Sequence, residues 1–184
     1  SVEEKLDELE KRIKEVLERI ERINEESLRR AEEVLRDLEE TNRRALERVR
    51  DVLRRLEERG VPEKDVDKLR RIVEKLERDH RDLIRRLREL VKRSKERHEE
   101  HTERVRRTIK RIREELEDIK RKGVDDDAIR KLLETVDRRL KELTETSKRL
   151  VEENRDLLRR AKEESKRLVD ESEKVLEEMD RETR

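Results

Sequence analysis

The sequence predicts an all-α protein, an elongated antiparallel three-helix bundle with nearly straight, untwisted helices of about 58 residues each. Two observations predict this fold. Turn-forming residues are confined to two short segments, "RGVPEKDVDKL" and "KGVDDDAIRKL", in a chain of 184 residues with two Gly and one Pro. Between these segments, apolar residues recur every 18 residues. Because such short connections make sequential helices antiparallel neighbours, a single bundle over residues 1–184 is expected.

The first helix is predicted over residues 2–59. The opening "SVEE" has the spacing of a capping box, with Ser1 and Glu4 as its partners. Val16, Val34 and Val52 follow at intervals of 18 residues. Eighteen residues over five turns give the natural pitch of a straight helix, whereas a seven-residue repeat would impose a left-handed supercoil. This period predicts untwisted helices.

The first turn lies at Gly60, and the second helix is predicted over residues 62–122. Gly60 follows a basic residue, as a left-handed C-terminal glycine does, and Val61 supplies the hydrophobic contact of that motif. Pro62 suits a first helical turn, where its missing N–H has no partner to lose. The apolar repeat continues at Leu69, Leu87 and Val105.

The second turn lies at Gly123, followed by Val124 in the same arrangement, and the third helix is predicted over residues 125–183. Asp125–Asp127 place side-chain acceptors and negative charge at the start of this helix. The apolar repeat is again present, at Leu132, Leu150 and Leu168. In all three helices the apolar positions form one stripe of about 120–140°, which suits burial against two neighbours. A fourth helix from another chain is the alternative arrangement.

The composition excludes several classes of function. Charged residues make up 59% of the chain, yet 55 Lys and Arg balance 54 Asp and Glu. This balance argues against nucleic-acid binding and against polybasic attachment to membranes. The chain has no Phe, Tyr, Trp or Cys, which excludes thiol chemistry and aromatic stacking platforms. With no signal peptide and no apolar run of about 18 residues, a soluble protein is expected.

Polar residues interrupt the apolar stripe at selected levels and form a predicted buried polar network. Asn24 and Asn42 are 18 residues apart, as are His80 and His98, so these side chains obey the repeat. The candidate network comprises Asn24, Ser27, Asn42, His80, Ser94, His98, His101, Thr102, Ser147, Asn154, Ser165 and Ser172.

The turns predict which of these residues share a level. Facing residue numbers should add to about 123 across the first turn and about 248 across the second. Asn24 is then expected to face the level of His98 and His101, which also faces Ser147 and lies near Asn154. Asn42 is expected to face His80, with Ser165 and Ser172 nearby. Asn, Ser, Thr and neutral His supply both donors and acceptors, so the residues of such a layer can form all their hydrogen bonds with one another. The layer then fixes the register of the three helices.

Metal binding and catalysis are the alternatives for the histidines. His98 and His101 are spaced at i,i+3, but the third histidine, His80, would lie about 27 Å away along the helix. For catalysis, Ser94, Ser147 or Thr102 lie at histidine levels, but the stripe holds no carboxylate to orient a base. We therefore assign no metal ligand, no catalytic residue and no cofactor. Burial should lower the pKa of neutral histidines. The free energy of unfolding is therefore expected to decrease as the pH drops below about 6.5.

The whole chain resembles de novo designed, parametrically generated helical bundles with buried hydrogen-bond networks. The resemblance is carried by the "GVPEKD" and "GVDDDA" loops, the 18-residue repeat, the Glu/Arg/Lys surface and the polar layers. Natural three-helix proteins such as spectrin-type repeats share the topology, but they have aromatic core residues and supercoiled helices. The resemblance implies a stable scaffold with no ligand, substrate or biological partner.

Two functions follow as expectations. The first is a monomeric structural scaffold without natural biochemical activity, not an enzyme, whose networks specify its own fold. The second is an interaction module, a component of a designed oligomer or heterocomplex that responds to pH through its buried histidines. No nucleic-acid or membrane partner is expected, and a homodimer or a designed partner helix is the alternative to a monomer. No cellular location is assigned, beyond the cytoplasm for recombinant expression.

Overall fold

A computed structural model describes residues 2–123 and 125–182. It contains the helices α1 (Val2–Glu58), α2 (Glu63–Lys122) and α3 (Asp126–Glu182), with no strand in these two ranges. The predicted fold class, a three-helix bundle, is confirmed, and hydrogen bonds join every pair of helices. The elongated form and the straightness of the helices stay predictions. Ser1 of the capping box, Val124 and residue 183 lie outside the described residues.

A glycine cap ends α1, as predicted. The φ angle of Gly60 is 76°. The N–H of Gly60 donates to the carbonyl of Glu57 at 3.3 Å, and that of Val61 donates to Leu56 at 3.4 Å. This pair of bonds is the Schellman motif, and Val61 packs against the neighbouring apolar core. The motif satisfies two carbonyl groups that the helix end would otherwise leave unpaired.

The next two helices begin one residue later than predicted. The carbonyl of Pro62 accepts from the N–H groups of Asp65 and Val66, so α2 begins after it, at Glu63. Asp125 is the N-cap of α3, because its Oδ1 accepts from the N–H of Ala128 at 2.9 Å. Gly123, with φ of 62°, ends α2 through a bond to the carbonyl of Ile119 at 3.1 Å. These shifts lie within the usual uncertainty of helix ends.

The described residues form two compact units. Unit 1 comprises those of Ser1–Arg30 and Arg93–Arg155, and unit 2 comprises those of Ala31–Lys92 and Asp156–Arg184. The prediction of a single domain stays a prediction. In the described ranges, no helix is apolar over a length that would cross a membrane.

Each unit has an aliphatic core built by the predicted stripes. In unit 1, fully buried residues come from all three helices and include Ile13, Ile112 and Val136. In unit 2, one cluster includes Val49, Leu83 and Met179, and a smaller one contains Ala31, Val34 and Leu158. Packing of this kind surrounds the polar side chains of each unit with apolar residues, so their hydrogen bonds must be made within the protein.

Candidate functional site

Eleven of the twelve candidate network residues are buried, each at most 8% exposed, and Thr102 is half-buried. The helical period explains this placement, because these residues occupy the same stripe as the leucines and valines. The buried set is Asn24, Ser27, Asn42, His80, Ser94, His98, His101, Ser147, Asn154, Ser165 and Ser172.

Four residues of unit 1 close a ring of hydrogen bonds that includes all three helices. The hydroxyl of Ser94 in α2 donates to Asn154 Oδ1 in α3 at 2.8 Å. Asn154 Nδ2 donates to Ser27 Oγ in α1 at 2.8 Å, and it also lies 3.0 Å from the Ser27 carbonyl. Ser27 Oγ is 3.2 Å from His98 Nε2, and His98 Nδ1 is 2.7 Å from the carbonyl of Ser94. We call these residues the four-residue ring.

The acceptors in the ring fix the position of every proton. A carbonyl only accepts, so His98 Nδ1 carries the hydrogen and the Nε2 of a neutral His98 accepts from the Ser27 hydroxyl. The Asn154 amide is fixed in the same way, because its nitrogen faces the Ser27 carbonyl. Each hydroxyl then donates one hydrogen bond, and no donor or acceptor of the ring is left unpaired.

Further bonds of unit 1 flank the ring. His101 Nε2 lies 2.6 Å from Ser147 Oγ in α3. Asn24 Nδ2 donates to Thr102 Oγ1 at 3.0 Å, and the Thr102 hydroxyl donates to the carbonyl of His98. Asn24 therefore lies at the predicted level, but it bonds to Thr102 and not to either histidine. Its Oδ1 is buried without a partner.

Unit 2 contains a second, smaller set of polar contacts. Asn42 Nδ2 donates to Ser165 Oγ at 2.6 Å and to the carbonyl of Leu38 at 2.7 Å. His80 Nε2 lies 2.9 Å from Ser172 Oγ, whose hydroxyl donates to the carbonyl of Leu168. Since the Ser172 proton is used by that carbonyl, His80 Nε2 is the donor in this pair. Asn42 and His80 thus both bond to α3 and not to each other.

Within the described part of unit 2, two buried acceptors have no hydrogen-bond partner. They are Asn42 Oδ1 and His80 Nδ1, both buried. The 18-residue repeat explains the difference from unit 1, because Ala45 stands at the position of Ser27 and Leu76 at that of Ser94. With these two hydroxyls replaced by aliphatic groups, the ring cannot form around His80.

Burial lowers the pKa of all three histidines. Removal from water disfavours the imidazolium form, and this is the largest influence on the pKa of His80, His98 and His101. Nearby charges act in both directions: Arg97 lowers the pKa of His98, whereas Glu153 raises it. The hydrogen bond from His98 Nδ1 to the Ser94 carbonyl raises the pKa of His98, but burial outweighs it, so neutral His98 is favoured.

The geometry of the three histidines suits hydrogen bonding better than acid–base catalysis or metal binding. None of the three histidines is hydrogen-bonded to a carboxylate within the described ranges. Over the same residues, no three His, Asp or Glu side chains are grouped closely enough to hold a metal ion. The sequence did not identify the backbone acceptors one turn earlier in each helix, the carbonyls of Leu38, Ser94, His98 and Leu168, although the i−4 carbonyl is a regular partner of polar side chains in helices.

Comparison with protein-family models, with curated proteins and with solved structures found no match to this chain.

Proposed function

We propose that the chain is a structural scaffold, a designed single-chain helical bundle without natural biochemical activity, whose buried hydrogen bonds specify how its helices pair. In this proposal it is not an enzyme, it binds no cofactor, and it is a monomer. The observation that carries the proposal is the four-residue ring of Ser27, Ser94, His98 and Asn154.

The ring supports a role in specifying the register of the helices, because all of its hydrogen bonds are formed together in one arrangement of the helices. Sliding α1 along its neighbours would remove Ser27 from both Asn154 and His98, which it contacts at 2.8 and 3.2 Å. Each buried group left without a partner costs about 1–3 kcal/mol. Aliphatic cores tolerate alternative packings far better, because Leu and Val contacts are not directional. A polar ring at one level therefore selects the register.

The recurrence of the same polar residue types at equivalent positions of the 18-residue repeat supports the proposal that the chain is designed. Asn24 and Asn42, His98 and His80, and Ser147 and Ser165 occupy equivalent places in the 18-residue repeat, one set in each unit. The core is otherwise built from aliphatic side chains without a single aromatic residue in the sequence. Regular repetition with selected polar layers is the pattern expected when a backbone is generated first and its register is specified afterwards.

The experiment replaces the ring by apolar residues, with Ser27→Ala, Ser94→Leu, His98→Leu and Asn154→Leu combined. We expect this variant to stay helical by circular dichroism but to lose its unique state. Its amide NMR spectrum should show extra or broadened signals, or its mass should rise with concentration. The matched control combines Thr41→Ala, Thr135→Ala and Thr146→Ala, which removes exposed hydroxyls that bond only within their own helices. The control should keep one sharp set of signals.

A sharp, single-state, monomeric spectrum from the apolar variant would contradict the proposal. Light scattering on the unmodified chain tests the monomer separately. The mass of one chain at all concentrations is expected, whereas a concentration-dependent mass would favour the alternative function, a component of an oligomer or heterocomplex.

A further inference from the structure

An open cleft between α1 and α2 in unit 2 combines unpaired buried acceptors with an excess of positive charge. It has a volume of about 970 Å³. Asn42 and His80 line it, and each is at most 3% exposed. The half-buried side chains of Leu46 and Ile84 contribute apolar surface to its walls. Asn42 Oδ1 and His80 Nδ1 are buried acceptors at this level that have no partner among the residues that the structure describes.

The lining of the cleft is basic, although the whole chain is almost neutral. Seven Arg and Lys residues line it against four Glu. Ion pairs neutralise most of this charge. Arg50 pairs with Glu77 and Arg88 with Glu39, while Arg43 pairs with both Glu40 and Glu47 and Arg85 with Asp82. Arg81, next to His80 in sequence, has no carboxylate partner among the described residues. The electrostatic character of the cleft favours an anion.

The unpaired acceptors set a second requirement for a ligand of this cleft, in addition to negative charge. Both atoms are sealed from solvent in this structure, so a ligand reaches them when the side chains turn toward the cleft. A carbonyl oxygen and an unprotonated imidazole nitrogen only accept hydrogen bonds, so that ligand must donate. An anion without protons would place negative charge against these acceptors. An anion with its own hydroxyl satisfies both the basic lining and the acceptors.

We propose that this cleft binds a small oxyanion that carries an O–H donor, the class to which hydrogen phosphate belongs. The hydroxyl donates to Asn42 Oδ1 or His80 Nδ1, and the charged oxygens face the guanidinium group of Arg81, because Arg43 is already paired with Glu40 and Glu47. This inference goes beyond the scaffold proposal and is independent of it, because the four-residue ring lies in unit 1.

Unit 1 provides a matched comparison. Asn24 occupies the equivalent repeat position to Asn42, it also has an unpaired buried Oδ1, and it lines a cleft of about 280 Å³. Four Glu and one Arg line that cleft, so its charge is opposite to that around Asn42. The same amide acceptor is thus present in a setting that repels anions.

The experiment compares inorganic phosphate with sulfate by calorimetric titration at about pH 7 and equal ionic strength. Phosphate carries at least one proton at this pH, whereas sulfate carries none. We expect phosphate to bind about tenfold more tightly than sulfate. Asn42→Ala should lower this ratio, because one of the two acceptors is lost, whereas Asn24→Ala should leave it unchanged. Arg81→Ala should weaken both anions, and Arg111→Ala, on the exposed surface of unit 1, should weaken neither.

A second measurement does not depend on any variant. Phosphate should shift the ¹⁵N signal of His80 Nδ1 in the unmodified chain, sulfate should not, and the His98 signals should stay in place. Equal binding of phosphate and sulfate that survives Asn42→Ala would identify adventitious attraction to the basic surface and overturn the proposal. Absence of phosphate binding at millimolar concentration would overturn it as well.

Discussion

His98 Nδ1 lies 2.7 Å from the carbonyl oxygen of Ser94, one turn earlier in α2. This bond assigns the proton of the imidazole to Nδ1 and leaves Nε2 to accept from Ser27. A backbone contact within one helix therefore sets the direction of the hydrogen bonds that connect three helices. This direction of the bonds requires neutral His98, because a second proton would make Nε2 a donor and the Ser27 hydroxyl would have to turn and accept.

Acid is expected to destabilise the fold. The pKa values of His80, His98 and His101 are lowered by burial, so below about pH 6.5 the unfolded chain binds more protons than the folded one. The free energy of unfolding should be highest above about pH 6.5 and should decrease as pH falls toward each lowered pKa. Guanidinium chloride midpoints at about pH 7.5 and about pH 5 measure the change.

The control for this pH dependence replaces all three histidines by Gln, which keeps a polar side chain without a titrating group. Its midpoint should change less between the two pH values than that of the unmodified chain. Identical midpoints of the unmodified chain at both values would contradict buried, neutral histidines.

Ser27→Ala is expected to destabilise the protein by about 1–3 kcal/mol, because it leaves His98 Nε2 without its donor and removes one acceptor of Asn154. Ser165→Ala is the matched substitution in unit 2. It should cost less, about 0.5–1.5 kcal/mol, since Asn42 Nδ2 keeps its bond to the Leu38 carbonyl. Chemical unfolding of both variants gives the comparison, and equal losses would argue against the special role of the ring.

Gly60→Ala tests the first turn. A Cβ at this position would meet nothing within 4 Å, so the effect comes from the backbone conformation, with φ of 76°. We expect a loss of about 1–2 kcal/mol, the cost of a left-handed conformation for an L-residue. Gly60→Asn should lose less, because Asn tolerates this region. Thermal or chemical unfolding measures the effect. If Gly60→Ala leaves the free energy of unfolding unchanged, the turn rearranges.

Much of the helix pairing could be predicted from the two turns alone. The residue numbers of His101 and Ser147, and of Ser94 and Asn154, add to 248, the value expected across the second turn. Across the first turn, contacts such as the 3.1 Å ion pair of Arg106 with Glu21 have numbers adding to 127, about one helical turn from the expected value of 123. Antiparallel helices joined by a short loop keep this relation along their length.

The individual bonds could not be predicted in the same way. Spacing gives the level of a residue but not the rotation of its side chain, so Asn24 could not be assigned to Thr102 in advance. Backbone carbonyls, such as that of Ser94, leave no signal in a sequence. The tautomers of His98 and His80 depend on those carbonyls, and they followed only from the distances.

The tautomers test the account most directly, because the ring requires His98 to carry its proton on Nδ1 while His80 carries it on Nε2. Long-range ¹H–¹⁵N NMR spectra of the unmodified chain at about pH 8 distinguish the two forms. We expect opposite tautomers, with Nε2 the unprotonated nitrogen in His98 and Nδ1 the unprotonated one in His80. If His98 is instead protonated on Nε2, it cannot accept from Ser27, and the four-residue ring does not exist in solution.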